Sequence, residues 1–176
     1  MPKGLKETSS LITIGFSALE TAPDTYLEER VDLQLNPLDN EVFVVTAIDM
    51  DLSAPNAIAG ANTAVNAQVT TTSQSDIVNL SATAALAISD NQIRASGFVD
   101  GGVAFQKTSM ETPPAALEYI GIIATNDFFV GIKGTANGTV KRVAGKMYGY
   151  RARADSAVYA ALVQSEVLSS WGGLIG

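Results

Sequence analysis

LEYIGIIATNDFFVGIKGTANGTVKRVAGKMYGYRAR, residues 117–153, is the stretch whose reading decides the fold. It contains three runs rich in β-branched and aromatic residues, with turn residues between them. Residues 119–125 and 128–133 are separated only by Asn126-Asp127, which predicts a tight hairpin. Asn137-Gly138 is a second strong hairpin signal, and it precedes the long run 139–153. This region is expected to be antiparallel β-structure, with the earlier strands packed against it.

Working outward, residues 10–18 set Ile12, Ile14 and Phe16 against Thr13, Gly15 and Ser17. In residues 26–35, Leu27, Val31, Leu33 and Leu35 share one face, while Glu28, Arg30, Asp32 and Gln34 share the other. That period of two is the mark of a half-buried strand. Residues 41–52 place Val42, Val44, Ile48, Met50 and Leu52 on one face, but the other carries Glu41, Phe43, Val45, Asp49 and Asp51, so burial there is mixed. Residues 63–73 alternate with smaller side chains. Residues 92–99 and 102–107 read as a hairpin around Asp100-Gly101. Residues 76–89 fit either a helix or a strand, since Ile77, Leu80, Ala84 and Ile88 have helical spacing. Eight or nine strands with turns about ten residues apart predict an all-β sandwich or barrel rather than βαβ units.

Three regions follow: an N-terminal arm at 1–9, a β-sandwich at 10–154, and a C-terminal helix and tail at 155–176. Asp155-Ser156 can cap a helix that runs to about Ser170, where Gly172-Gly173 is expected to stop it. Apolar side chains surround much of this helix. A helix without a clear polar face is usually covered on more than one side, and a neighbouring subunit could supply the second cover.

At 176 residues and 47% apolar content, the chain suits a single domain with a substantial core. It has no cysteine and no histidine. That removes disulfides, thiolate metal sites, the commonest general base and any Ser-His or Cys-His dyad. No Ser-Lys pairing can be placed in space either, so the chain is not expected to be an enzyme and no cofactor is expected. The net charge of −7 argues against a surface that grips nucleic acid, which needs clustered Lys and Arg.

Charge is unevenly spread along the sequence. Residues 20–51 hold nine carboxylates and one base, and residues 133–153 hold six bases and no acid. One account is two solvated strand faces. The other is a head-to-tail contact between copies, with Glu28, Glu29 and Asp32 meeting Lys133, Lys141, Arg142, Arg151 and Arg153. Leu168 and Trp171 on the terminal helix are further interface candidates, able to anchor the tail in a neighbour or at a membrane surface.

Asp49 and Asp51, at i and i+2 on one strand face, could share a hard cation, although such ions want six to eight oxygens. A solvated strand edge is the competing account. Residues 131–134, Gly-Ile-Lys-Gly, sit in a strand and lack the helix a phosphate loop opens. Asn137-Gly138-Thr139 and Asn79-Leu80-Ser81 match the glycan acceptor pattern, but read better as a turn and a strand. Tyr148 and Tyr150 alternate with Arg151 and Arg153, either as a stacking surface for nucleic acid or as a cross-strand aromatic ladder. No apolar run approaches the ~20 residues that span a bilayer, and residues 11–19 make a poor leader, so synthesis in the cytoplasm of a cell is expected.

The strand series 26–35, 41–52, 63–73, 92–107, 119–133 and 139–153, preceded by a short arm, resembles the single jelly-roll coat proteins of icosahedral viruses. That resemblance implies a jelly-roll-like antiparallel sandwich whose arm and tail contact neighbours in a shell. It also implies location in the virion, after synthesis in a host cytoplasm, with copies of itself and other capsid proteins as partners. The arm departs from coat proteins that touch a genome directly, since it offers only Lys3 and Lys6. A shell over an internal membrane or over other internal proteins suits it better. An extracellular filament, pilus or surface-layer subunit and a ligand- or carbohydrate-binding sandwich remain the alternatives.

Overall fold

The computed structural model describes residues 1–98, 103–108 and 117–175. Alternating apolar side chains make strands wherever one face can be buried, and ten strands form among these residues. They are β1 (Leu5–Glu7), β2 (Ile12–Leu19), β3 (Leu27–Asp32), β4 (Glu41–Leu52), β5 (Thr63–Thr70), β6 (Ala85–Arg94), β7 (Val103–Thr108), β8 (Gly121–Ile123), β9 (Asp127–Thr135) and β10 (Arg142–Ala154). One helix, α1 (Ser156–Ile175), follows them.

Every strand pair is antiparallel, and the strands divide into two five-stranded sheets. In the first, β1 and β2 lie end to end along one edge of β10, β4 lies along its other edge, and β8 pairs with β4. The second runs β3-β9-β5-β6-β7. The pairings β2–β10, β3–β9, β4–β8 and β5–β6 are nested, as in a long ribbon doubled back and wrapped around a barrel. The pairs β4–β10 and β5–β9 close each sheet. This is a jelly roll, an all-β sandwich as the strand spacing predicts.

The core lies between the sheets. Phe128, Val130 and Ile132 of β9 face Phe43, Val45, Met147 and Val143 of the opposite sheet, all fully buried. Burying a side chain of this size contributes roughly 1.5–3 kcal/mol. Phe16 meets Phe128 edge-on at 6.0 Å. Gly145 gives the Phe16 ring its space, because a Cβ there would overlap both that ring and the Asp49 carbonyl oxygen.

Two of the expected hairpins are sheet crossings instead. β8 pairs with β4 in the first sheet, whereas β9 pairs with β3 and β5 in the second, so Asn126 carries the chain between sheets. Asn137-Gly138 likewise returns it from β9 to β10. Turn chemistry reverses the chain in either case. The edges of β9 are already taken by β3 and β5, which leaves β8 and β10 no place beside it. The Asn126 side chain accepts the Leu35 N–H at 2.6 Å, and its carbonyl accepts Leu33 N–H at 2.8 Å. Asn137 accepts from Asn56 N at 2.9 Å and donates to Ala64 O at 2.8 Å. Two buried carboxylates complete these crossings. Glu20, 2% exposed, accepts Gly134 N–H at 2.6 Å and Lys141 N–H at 2.7 Å. Glu166, 7% exposed, accepts Ala124 N–H at 2.7 Å and Thr125 N–H at 2.9 Å.

The expected N-terminal arm is corrected in part: residues 5–7 form β1 on β10, with Leu5 buried. Gly4, at a φ of +83°, lies under the first turn of α1, where a Cβ would come within 2.8 Å of Val158. Asp155 caps α1 as expected, its carboxylate accepting Val158 N–H at 2.8 Å. The helix does not stop at Gly172-Gly173 but runs to Ile175. Glycine ends a helix by turning left-handed; inside one it merely costs about 1 kcal/mol.

The ambiguous stretch 76–89 is neither one helix nor one strand. It is a loop through Ala84, and β6 begins at Ala85. The loop is pinned to the outer face of the second sheet by Gln68, which accepts Val78 N–H at 2.7 Å, and by Glu28, which accepts Gln74 N–H at 2.8 Å. β6 and β7 pair antiparallel, with Arg94 opposite Val103, but β6 spans Ala85–Arg94 rather than 92–99, and Ala95 to Phe98 turn outside it. The turn Asp100-Gly101 lies outside the described residues.

Candidate assembly surfaces

α1 lies over the outer side of the first sheet. Its inner side, with Val158, Tyr159, Leu162 and Val163, packs on Leu5, Val42, Val44, Ala152 and Ala154. Glu166 adds a polar clasp one turn further along by holding the backbone that leaves β8. Burial alone would let such a helix slide, whereas two directional hydrogen bonds to consecutive N–H groups fix its register. What remains outside is unusual for a surface helix. Val167 is 45% exposed and Leu168 58% exposed, and Ala160, Ala161, Gln164 and Ser165 are exposed beside them.

Two open grooves flank this face. One, of about 620 Å³, runs between Tyr159, Val163 and Leu168. The other, of about 760 Å³, separates Leu168 and Ser165 from the loop at Ser81 to Thr83. The interface expectation for Leu168 therefore coincides with an exposed ridge. Trp171 lies within α1, and its side chain is outside the described residues. No helix among the described residues is long and apolar enough to cross a membrane.

The charged candidates are placed differently. β10 lies beside β4, so charges segregated along the sequence become neighbours in space: Lys146 is the cross-strand partner of Asp49, and Arg153 of Glu41. Arg151 pairs with Glu41 at 3.1 Å and also donates to Leu33 O and Gln34 O. Arg153 pairs with Asp39 at 3.0 Å, and Lys133 with Asp76 at 3.0 Å. Lys141, 4% exposed, is no surface charge at all; its ammonium donates to Ala54 O at 2.9 Å and to Asn56 Oδ1 at 2.5 Å. Glu28 accepts from Tyr26, Ser73 and Gln74. Burial and the nearby Glu28 carboxylate together push the Tyr26 phenol up. Arg142, Glu29 and Asp32 are exposed. Lys133, Arg151 and Arg153 thus have ion-pair partners within one chain, and none of those partners is Glu28, Glu29 or Asp32.

Asp49 and Asp51 are exposed on β4, and among the described residues no cluster of three metal-ligating groups forms around them. Tyr150 belongs to the bed of α1, not to a stacking platform; burial, then Glu7 and Glu118, raises its phenol. The two buried carboxylates, Glu20 and Glu166, escape sequence reasoning because a lone acid in an apolar context has no local pattern. Their one visible signal is that Glu166 is the only charged residue of α1. In comparison with known proteins, no family model matches the chain and no curated protein matches its sequence.

Proposed function

We propose that the chain is a self-assembling structural protein, a viral capsid subunit whose copies build a closed shell in the virion. The observation that carries this reading is the outward face of α1. It is an uncharged, largely apolar helix surface on a jelly roll that otherwise carries a net charge of −7. Exposed apolar surface of this kind, flanked by polar surface, is characteristic of an interaction site.

The ion pairs support the rest of the reading. Arg151, Arg153, Lys133 and Lys141 are engaged within the chain, and the net charge is −7, which does not favour holding a genome directly. Copies of itself and other capsid proteins are then the partners, and interfaces rather than an active site are the functional surface. Fold alone does not specify function, so the test must read assembly. Negative-stain microscopy of the purified chain is expected to show closed particles of uniform size. Monomers at every concentration, or open filaments, would overturn the shell reading.

A further inference from the structure

We infer that the outward face of α1 receives the same face of a second copy, the two helices lying antiparallel across a two-fold axis near Gln164. This rests on the assembly reading above and gives it a geometry. The exposed residues Ala157, Ala160, Ala161, Gln164, Val167 and Leu168 recur at spacings of three and four, so they form one stripe along the helix.

The stripe is graded in size. Small side chains, Ala157, Ala160 and Ala161, occupy its N-terminal half, and Val167 and Leu168 its C-terminal half. An antiparallel pair sets the large end of each helix against the small end of the other, so each ridge meets a hollow. A parallel pair would oppose Leu168 to Leu168 and leave alanine facing alanine. The groove beside Ala160 and Val163, about 620 Å³, is the hollow that Leu168 of a second copy would enter. The same patch then serves both partners, as a two-fold contact requires.

Charge selects the occupant. Any second copy brings its own −7, so contact is least opposed where carboxylates do not meet. α1 has one acid, Glu166, and that side chain is turned onto Ala124 and Thr125. A lipid surface fits this face less well. Helices that lie in a membrane interface carry Lys or Arg toward the headgroups, and α1 has neither.

The absence of cysteine makes the test clean. Ala160→Cys, Gln164→Cys and Leu168→Cys, all at exposed positions, are oxidised singly and in mixtures, and disulfide dimers are read on a non-reducing gel. Gln164→Cys is expected to cross-link with itself. An antiparallel pair displaces the two copies of residue 168 by about 12 Å along the axis at ~1.5 Å per residue, too far to bridge. Leu168→Cys is therefore expected to form no dimer alone and to cross-link with Ala160→Cys when the two are mixed. Equal self-cross-linking at all three positions would overturn the antiparallel geometry. Assembled particles with no cross-link at any position would overturn this contact while the assembly reading stands, and loss of assembly in the unmodified chain would remove both. Flotation of the chain with phosphatidylcholine vesicles, without cross-links, would assign the face to lipid instead.

Discussion

Glu166, on α1, accepts the backbone N–H of Ala124 at 2.7 Å, and through its other oxygen that of Thr125 at 2.9 Å. The helix is thereby fastened to the point where the chain leaves one sheet for the other. Glu166→Gln replaces one acceptor with a donor that confronts an N–H group. The expected cost is about 1–3 kcal/mol in thermal or denaturant unfolding, with faster amide exchange at Ala124 and Thr125. Unchanged exchange at both amides would show that the clasp does not hold the crossing.

Glu20 does the same for the second crossing, bridging Gly134 and Lys141. Glu20→Gln is expected to lose about 1–3 kcal/mol by the same reasoning. Asn137→Asp is expected to destabilise as well, because a carboxylate cannot donate to the Ala64 and Thr135 carbonyls that Asn137 now satisfies. Denaturant titration of the two variants beside the parent chain checks both expectations.

These contacts mark the limit of what the sequence discloses. The apolar run in residues 41–52 gives β4 to the residue, but not its faces. Val42 and Val44 lie under α1, whereas Phe43, Val45, Ile48 and Leu52 lie between the sheets, and an irregularity in the pairing with β10 falls between Val45 and Ile48. Asn126-Asp127 and Asn137-Gly138 announce reversals correctly. Whether a reversal joins paired strands or crosses between sheets depends on which edges distant strands already occupy, and no local pattern records that. β1 is too short to show a period, and its pairing depends on β10, almost the whole chain away. At the candidate surface, the apolar character of α1 was legible from composition. The inward turn of Glu166 was not, since only the docked helix reveals that its partner N–H groups lie at 124 and 125.

Two glycines make a matched pair. Gly145→Ala must push into the Phe16 ring and the Asp49 carbonyl, and an overpacked site of this kind typically costs 1–3 kcal/mol or more. Gly15→Ala, on the neighbouring strand, meets nothing within 4 Å and is expected to be neutral or to stabilise by up to about 1 kcal/mol. Melting temperatures for the two variants should therefore move apart, and a similar loss in both would contradict the packing described for Phe16.

Lys133 donates to both oxygens of Asp76 at 3.0 Å and holds that carboxyl below its ordinary value. A depressed folded-state pKa stabilises the fold above the unfolded value near ~4 and loses that contribution as pH falls through the folded value. The pair is largely exposed, so the effect is below about 1 kcal/mol. Lys133→Met is expected to be slightly less stable than the parent at neutral pH, with the gap closing in acid. A gap that widens on acidification would contradict the assignment.

A shell requires the chain to bind copies of itself. Sedimentation velocity over a wide concentration range measures this directly. It is expected to show species much heavier than the 18.3 kDa chain, with their share rising with concentration. A single 18.3 kDa species at every concentration would contradict the central claim.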